Sequence, residues 1–122
     1  MKICIDVAGT KLRATLDDSE VSRDFASLLP LALTLEDHAA TEKIADLPRK
    51  LSTKGAPKGT DAAAGDVSYY APWGNLALFY RPFEYSAGLV RLGKLESEVA
   101  PLRGPGPLNA KIELMESCDV RS

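Results

Sequence analysis

The chain opens with strict alternation. Ile3, Ile5 and Val7 are apolar and Lys2, Cys4 and Asp6 lie between or before them, the period of a strand with one buried face. Ala8-Gly9-Thr10 reads as a turn, after which Leu12, Ala14 and Leu16 alternate with Lys11, Arg13 and Thr15. The two runs predict a hairpin. The period then changes. Val21, Phe25, Leu28 and Leu29 recur at helical spacing behind the cap candidates Asp17-Asp18-Ser19, and Pro30 closes the segment. A short amphipathic helix of about three turns is expected. Alternation returns at Leu31, Leu33 and Leu35, a third strand, and in weaker form from Thr41 to Leu47, a fourth that Pro48 ends.

From Ser52 to Asp66 the pattern is lost. Lys54-Gly55-Ala56-Pro57-Lys58-Gly59 and Ala62-Ala63-Ala64-Gly65 read as a long surface loop. Val67 to Ala71 and Leu76 to Tyr80 are two further strands joined at Pro72-Trp73-Gly74-Asn75. Arg81 to Ala87 reads as a connection and Gly88 to Leu95 as another strand. Ser97 to Arg103 is a short helical or irregular piece, Gly104-Pro105-Gly106-Pro107 a rigid break, and Ala110, Ile112 and Leu114 mark a last strand. Seven or eight short strands with one helix must close or stack to hide their edges. The pattern therefore predicts an all-β barrel or sandwich, with the helix over an open end.

Composition narrows the function classes. The 122 residues make one domain, 1–122, long enough to bury a core without staples. The net charge of -2 and the absence of a basic stripe argue against a nucleic-acid partner. No signal-peptide h-region and no apolar run of spanning length is visible, so no membrane association and a cytoplasmic location are expected. Cys4 and Cys118 stand near opposite ends outside any CxxC spacing, which leaves one disulfide and two free thiols both open. The single histidine, His38, has no accompanying ligand motif, so no metal site is expected and His38 reads as a strand-end surface residue. Lys54-Gly55 and Lys58-Gly59 lack the strand and helix that frame a phosphate loop, and no cofactor is implied.

The aromatic residues are the strongest candidate chemistry. Seven of the eight fall between Tyr69 and Tyr85. Neighbours in a strand face opposite ways, so Tyr69 and Tyr70 cannot both point inward, nor can Phe79 and Tyr80. Phe79 and one of Tyr69 and Tyr70 are expected to fill the core. Trp73 lies in a turn, and Phe83 and Tyr85 in the next connection. A groove walled by Tyr70 or Tyr80, Trp73, Phe83 and Tyr85, with Arg81 supplying charge, fits an apolar pocket with few polar groups. A structural cap over the barrel is the competing reading. Arg49, after Pro48, is a candidate guanidinium for stabilising developing charge.

The stretch GDVSYYAPWGNLALFY, Gly65 to Tyr80, followed by Gly88-Leu89-Val90-Arg91-Leu92-Gly93-Lys94-Leu95, resembles the bacterial and archaeal cyclophilin-like proteins. These are small single-domain barrels related in fold to the peptidyl-prolyl isomerases. The Gly-Asp opening, the Tyr-Tyr-x-Pro element, the apolar strand ending in Phe-Tyr and the later Leu-Gly-Lys-Leu carry the likeness, which extends more weakly over Lys2 to Leu114. The resemblance implies a closed eight-stranded barrel with one short helix at an end. The isomerases' Phe-His-Arg-like and Gln-Gly-Gly-Asp-like segments are absent, and the chain contains no glutamine, so fold alone grants no activity. The expected function is binding of a small molecule or extended peptide by Arg49, Tyr70, Trp73, Tyr80, Arg81, Phe83 and Tyr85. The alternatives are an altered isomerase acting through Arg49 or Arg81, and an interaction module that buries its aromatic face in a homodimer. Whether the protein is an enzyme stays open.

Overall fold

A computed structural model describes residues 1–117. It contains ten strands: β1 (Lys2–Val7), β2 (Thr10–Leu16), β3 (Leu31–His38), β4 (Glu42–Asp46), β5 (Gly59–Ala62), β6 (Asp66–Tyr70), β7 (Asn75–Phe79), β8 (Phe83–Ala87), β9 (Leu89–Leu95) and β10 (Leu108–Leu114). Eight of them close into an antiparallel barrel in the order β1-β10-β3-β4-β7-β6-β9-β2. Closure removes the free edges that so many short strands would otherwise expose. These eight correspond to the eight strand segments expected from the sequence.

The barrel is filled from every side. Ile3, Ile5, Leu12, Ala14, Leu35, Val67, Tyr69, Leu76, Leu92 and Ile112 are buried in one continuous core. Each buried Leu or Ile contributes about 2 kcal/mol by leaving water. Tyr69 is the core member of the Tyr69–Tyr70 pair, and its hydroxyl accepts a hydrogen bond from the Leu51 amide at 3.1 Å. The single α-helix, α1 (Glu20–Ala26), starts at Ser19, whose hydroxyl accepts from the Ser22 amide. Such a cap satisfies one of the orphan donors at the helix start. Phe25 is fully buried in the core, and the Ser22 hydroxyl donates to the Leu92 carbonyl at 2.7 Å. The helix is shorter than its apolar spacing suggests: Leu28 and Leu29 lie beyond it and pack on the core from the segment before β3.

Two strands were hidden in stretches that read as loop or connection. β5 and β8 form a separate two-stranded ribbon. Neither shows a buried face of its own: β8 is exposed along most of its length, and in β5 only Ala62 is buried. The ribbon covers the outside of the barrel, where Ala62, Ala77, Phe79 and Leu89 make a second, smaller core. That cover explains why β6 and β7 are buried on both faces.

Lys43 points into the barrel and is fully buried. Its ammonium donates to the carbonyls of Gly104 (2.7 Å) and Gly106 (3.3 Å) and sits 2.9 Å from Asp37 Oδ2. Burying a charge is costly unless it is paired and hydrogen-bonded, and this one is both. Among the described residues no helix is long and apolar enough to cross a membrane. Whether Cys4 and Cys118 pair turns on Cys118, which lies outside the described residues.

Candidate functional site

The turn that carries Trp73 is built by the backbone. The Gly74 amide donates to the Tyr70 carbonyl at 2.9 Å, and Gly74 takes a φ of +67°, a conformation that favours glycine. The turn leaves Trp73 58% exposed, edge-on to Tyr70 at a centroid distance of 5.3 Å and to His38 at 5.5 Å. Edge-to-face geometry at such distances is favourable for aromatic pairs. Gly88 fastens the turn from the other side. It joins β8 to β9 at φ +86°, its carbonyl accepts from the Ala71 amide, and an added Cβ would lie 2.6 Å from Pro72 Cδ.

Between this turn, the β3–β4 hairpin and the ribbon lies a pocket of about 210 Å³. Tyr70, Trp73, Phe79 and Phe83 supply its rings, with Leu89 beside them, and His38, Glu42, Asn75 and Ser86 its polar groups. Phe79 and Phe83 stack across it at 6.0 Å. His38 and Glu42 are cross-strand partners at the end of β3 and the start of β4, so both reach the same rim. Burial raises the pKa of the Glu42 carboxyl above its ordinary value, and His38 opposes the shift. The Asn75 side chain is buried, yet its Oδ1 has no hydrogen-bond partner within the protein, an uncommon state for a buried polar atom.

The residues expected in the groove divide. Tyr70, Trp73 and Phe83 come together in the pocket; Arg49, Tyr80, Arg81 and Tyr85 do not line it. Tyr80 is a correction with a clear cause. Phe79 and Tyr80 do face opposite ways, but the sides are exchanged. Phe79 lies outside the barrel under the ribbon, and Tyr80 packs with the main core and donates to Asp37 Oδ1 at 2.7 Å. Burial and the Asp37 hydrogen bond raise the Tyr80 pKa. The Lys43 contact, then Tyr80, lowers that of Asp37. Arg49 is held by Asp24 of α1 through two hydrogen bonds of 2.8 and 3.0 Å. With its pKa lowered to about 2 by Arg49 and by the Ser52 amide, Asp24 anchors the segment after β4 to the helix. Arg81 is exposed beyond β7. Tyr85 is 62% exposed and folds over Gly59 of the ribbon.

Glu42, Asn75 and His38 were missed as pocket residues. His38 is half-buried at the rim, not a plain surface residue. The available signal was the spacing of His38 and Glu42 about a three-residue turn, which in a hairpin makes them partners. Nothing in the sequence places Asn75 under the ribbon.

A larger cleft of about 480 Å³ opens beside the start of α1, lined by Asp17 to Val21, Lys54 to Pro57, Thr60 and β9. Its acids are already partnered: Asp17 with Arg91, Asp18 with Arg23, and Glu20 with the Ser52 hydroxyl. Its size exceeds that of the aromatic pocket, but each of its carboxylates already has a partner in the protein. Among the described residues no group of three or more His, Cys, Asp or Glu is placed to hold a metal ion.

A family model described as the Cyclophilin-like family matches residues 5–113. No curated protein matches the sequence. The fold is similar to the solution structure of a hypothetical protein from Archaeoglobus fulgidus, with a TM-score of 0.68 at 17% identity over 93% of this chain and 94% of that one.

Proposed function

The chain belongs to the cyclophilin-like family, and on that barrel we propose that the aromatic pocket under the β5–β8 ribbon is a binding site for a small ligand. The observation that carries this reading is the gathering of four aromatic rings, Tyr70, Trp73, Phe79 and Phe83, with the polar side chains of His38, Glu42 and Asn75 around one pocket. A few polar groups placed in an apolar cavity are what fixes a ligand's orientation. The volume, about seven waters' worth, suits one ring with a short side chain better than a run of extended peptide. Trp73 is the only tryptophan, so its fluorescence reports on this wall alone. Titration with small aromatic compounds is expected to quench or shift it, and Phe83→Ala to weaken the response. A response that Phe83→Ala leaves unchanged would count against the pocket.

No arginine lines the pocket, so the amide-polarising group of an isomerase is not supplied there. Exchange of an Xaa-Pro peptide is expected to stay at the uncatalysed rate, tens to hundreds of seconds at about 25 °C. Acceleration that Arg49→Ala or Arg81→Ala removes would restore the isomerase alternative.

A further inference from the structure

Resting on that reading of the pocket, we infer that its ligand is an organic cation: a primary ammonium or guanidinium head on a short aromatic or apolar body. The charge pattern carries the argument. The pocket is lined by no Lys or Arg and by one carboxyl, that of Glu42, with the His38 imidazole as its cross-strand neighbour. Lys43, next in sequence to Glu42, is turned the other way and occupied by Asp37, Gly104 and Gly106, so it does not neutralise the rim. Aromatic ring faces attract cations through their quadrupole, most strongly for tryptophan, and Trp73 and Tyr70 stand together at this rim. An ammonium there meets rings and a carboxylate at once. An anion meets Glu42, with only the His38 imidazole to offset it. A neutral ring gains the apolar contacts alone, and leaves Glu42 with no counter-charge beyond His38.

The burial of Glu42 fits the same picture. Its carboxyl is destabilised as an anion by the pocket it faces, and a bound cation relieves that penalty.

The test compares two isosteric probes, benzylammonium and benzyl alcohol, by calorimetry at about pH 8, where imidazoles are ordinarily uncharged, with Trp73 fluorescence followed alongside. Benzylammonium is expected to bind at least about tenfold more tightly than the alcohol, the size of one charge-assisted contact. Glu42→Gln is expected to erase that preference while leaving the weaker alcohol binding in place. Equal binding of the two probes to wild-type protein, or tighter binding of the alcohol, overturns the cation inference and leaves the pocket reading standing. No response of Trp73 to either probe at millimolar concentration overturns both. The wild-type comparison decides the matter even if the variant folds poorly.

Discussion

Two carboxyls on this barrel are shifted in opposite directions, and each sets a pH dependence. Glu42 has its folded-state pKa raised above 4.5 by burial. The folded state therefore holds this proton more tightly than the unfolded chain, and stability falls as pH rises through the window above 4.5. Glu42→Gln is expected to melt at a higher temperature than wild type near about pH 7 and to lose that advantage near about pH 4. A lower melting temperature for the variant at neutral pH would contradict the burial argument. Asp24 behaves in the reverse sense. Its pKa falls from 3.8 to about 2, so its contribution is present above 3.8 and lost as pH drops toward 2. Asp24→Asn is expected to flatten urea-unfolding stability between those values, and the pair is partly exposed, which keeps the effect small. At this scale, Tyr70, Trp73 and Phe83 were legible because turn and strand-end aromatics need a surface. The orientation of Phe79 and Tyr80 was not: alternation says that neighbours part, not which one enters the barrel.

The ribbon and the Tyr70–Gly74 turn form the pocket as elements, and two glycines set their spacing. At Gly59 a Cβ would meet the Ser86 carbonyl at 2.5 Å and the Tyr85 hydroxyl at 2.7 Å. Gly59→Ala is expected to loosen β5 from β8 at a cost of about 1–3 kcal/mol, seen as faster hydrogen exchange confined to residues 59–62 and 83–87. Uniform exchange across the barrel would show instead that the ribbon does not open separately. Gly88 sits against Pro72 in the same way, so Gly88→Ala should shift the Trp73 emission before it lowers global stability. The ribbon was illegible in the sequence because its strands have no core face of their own. β5 is four residues of Gly, Thr, Asp and Ala, and β8 lies exposed over the satellite core. Its trace survives only indirectly, as the two-sided burial of β6 and β7.

The molecule as a whole is a closed barrel whose eight strands can be located along the chain from apolar patterning and the turns between them, whereas their order around the barrel cannot. β10 pairs with both β1 and β3, a long-range closure that no local pattern encodes. Lys43 illustrates the gap: the Gly104–Pro107 break returns to meet its ammonium inside the barrel, 61 residues along the chain at Gly104. Lys43→Ala is expected to destabilise the fold by on the order of 3 kcal/mol, since the carbonyls it satisfies lose their donor, while leaving the aromatic pocket's response to a ligand intact. The aromatic pocket, and not the larger cleft beside α1, is expected to receive the proposed ligand. Mapping backbone amide shifts by NMR during a benzylammonium titration tests it most directly. Shifts gathered at His38, Glu42, Tyr70 to Asn75 and Phe83 to Ser86 are the predicted result; shifts gathered at Asp17 to Val21 and Lys54 to Ala56 would contradict it.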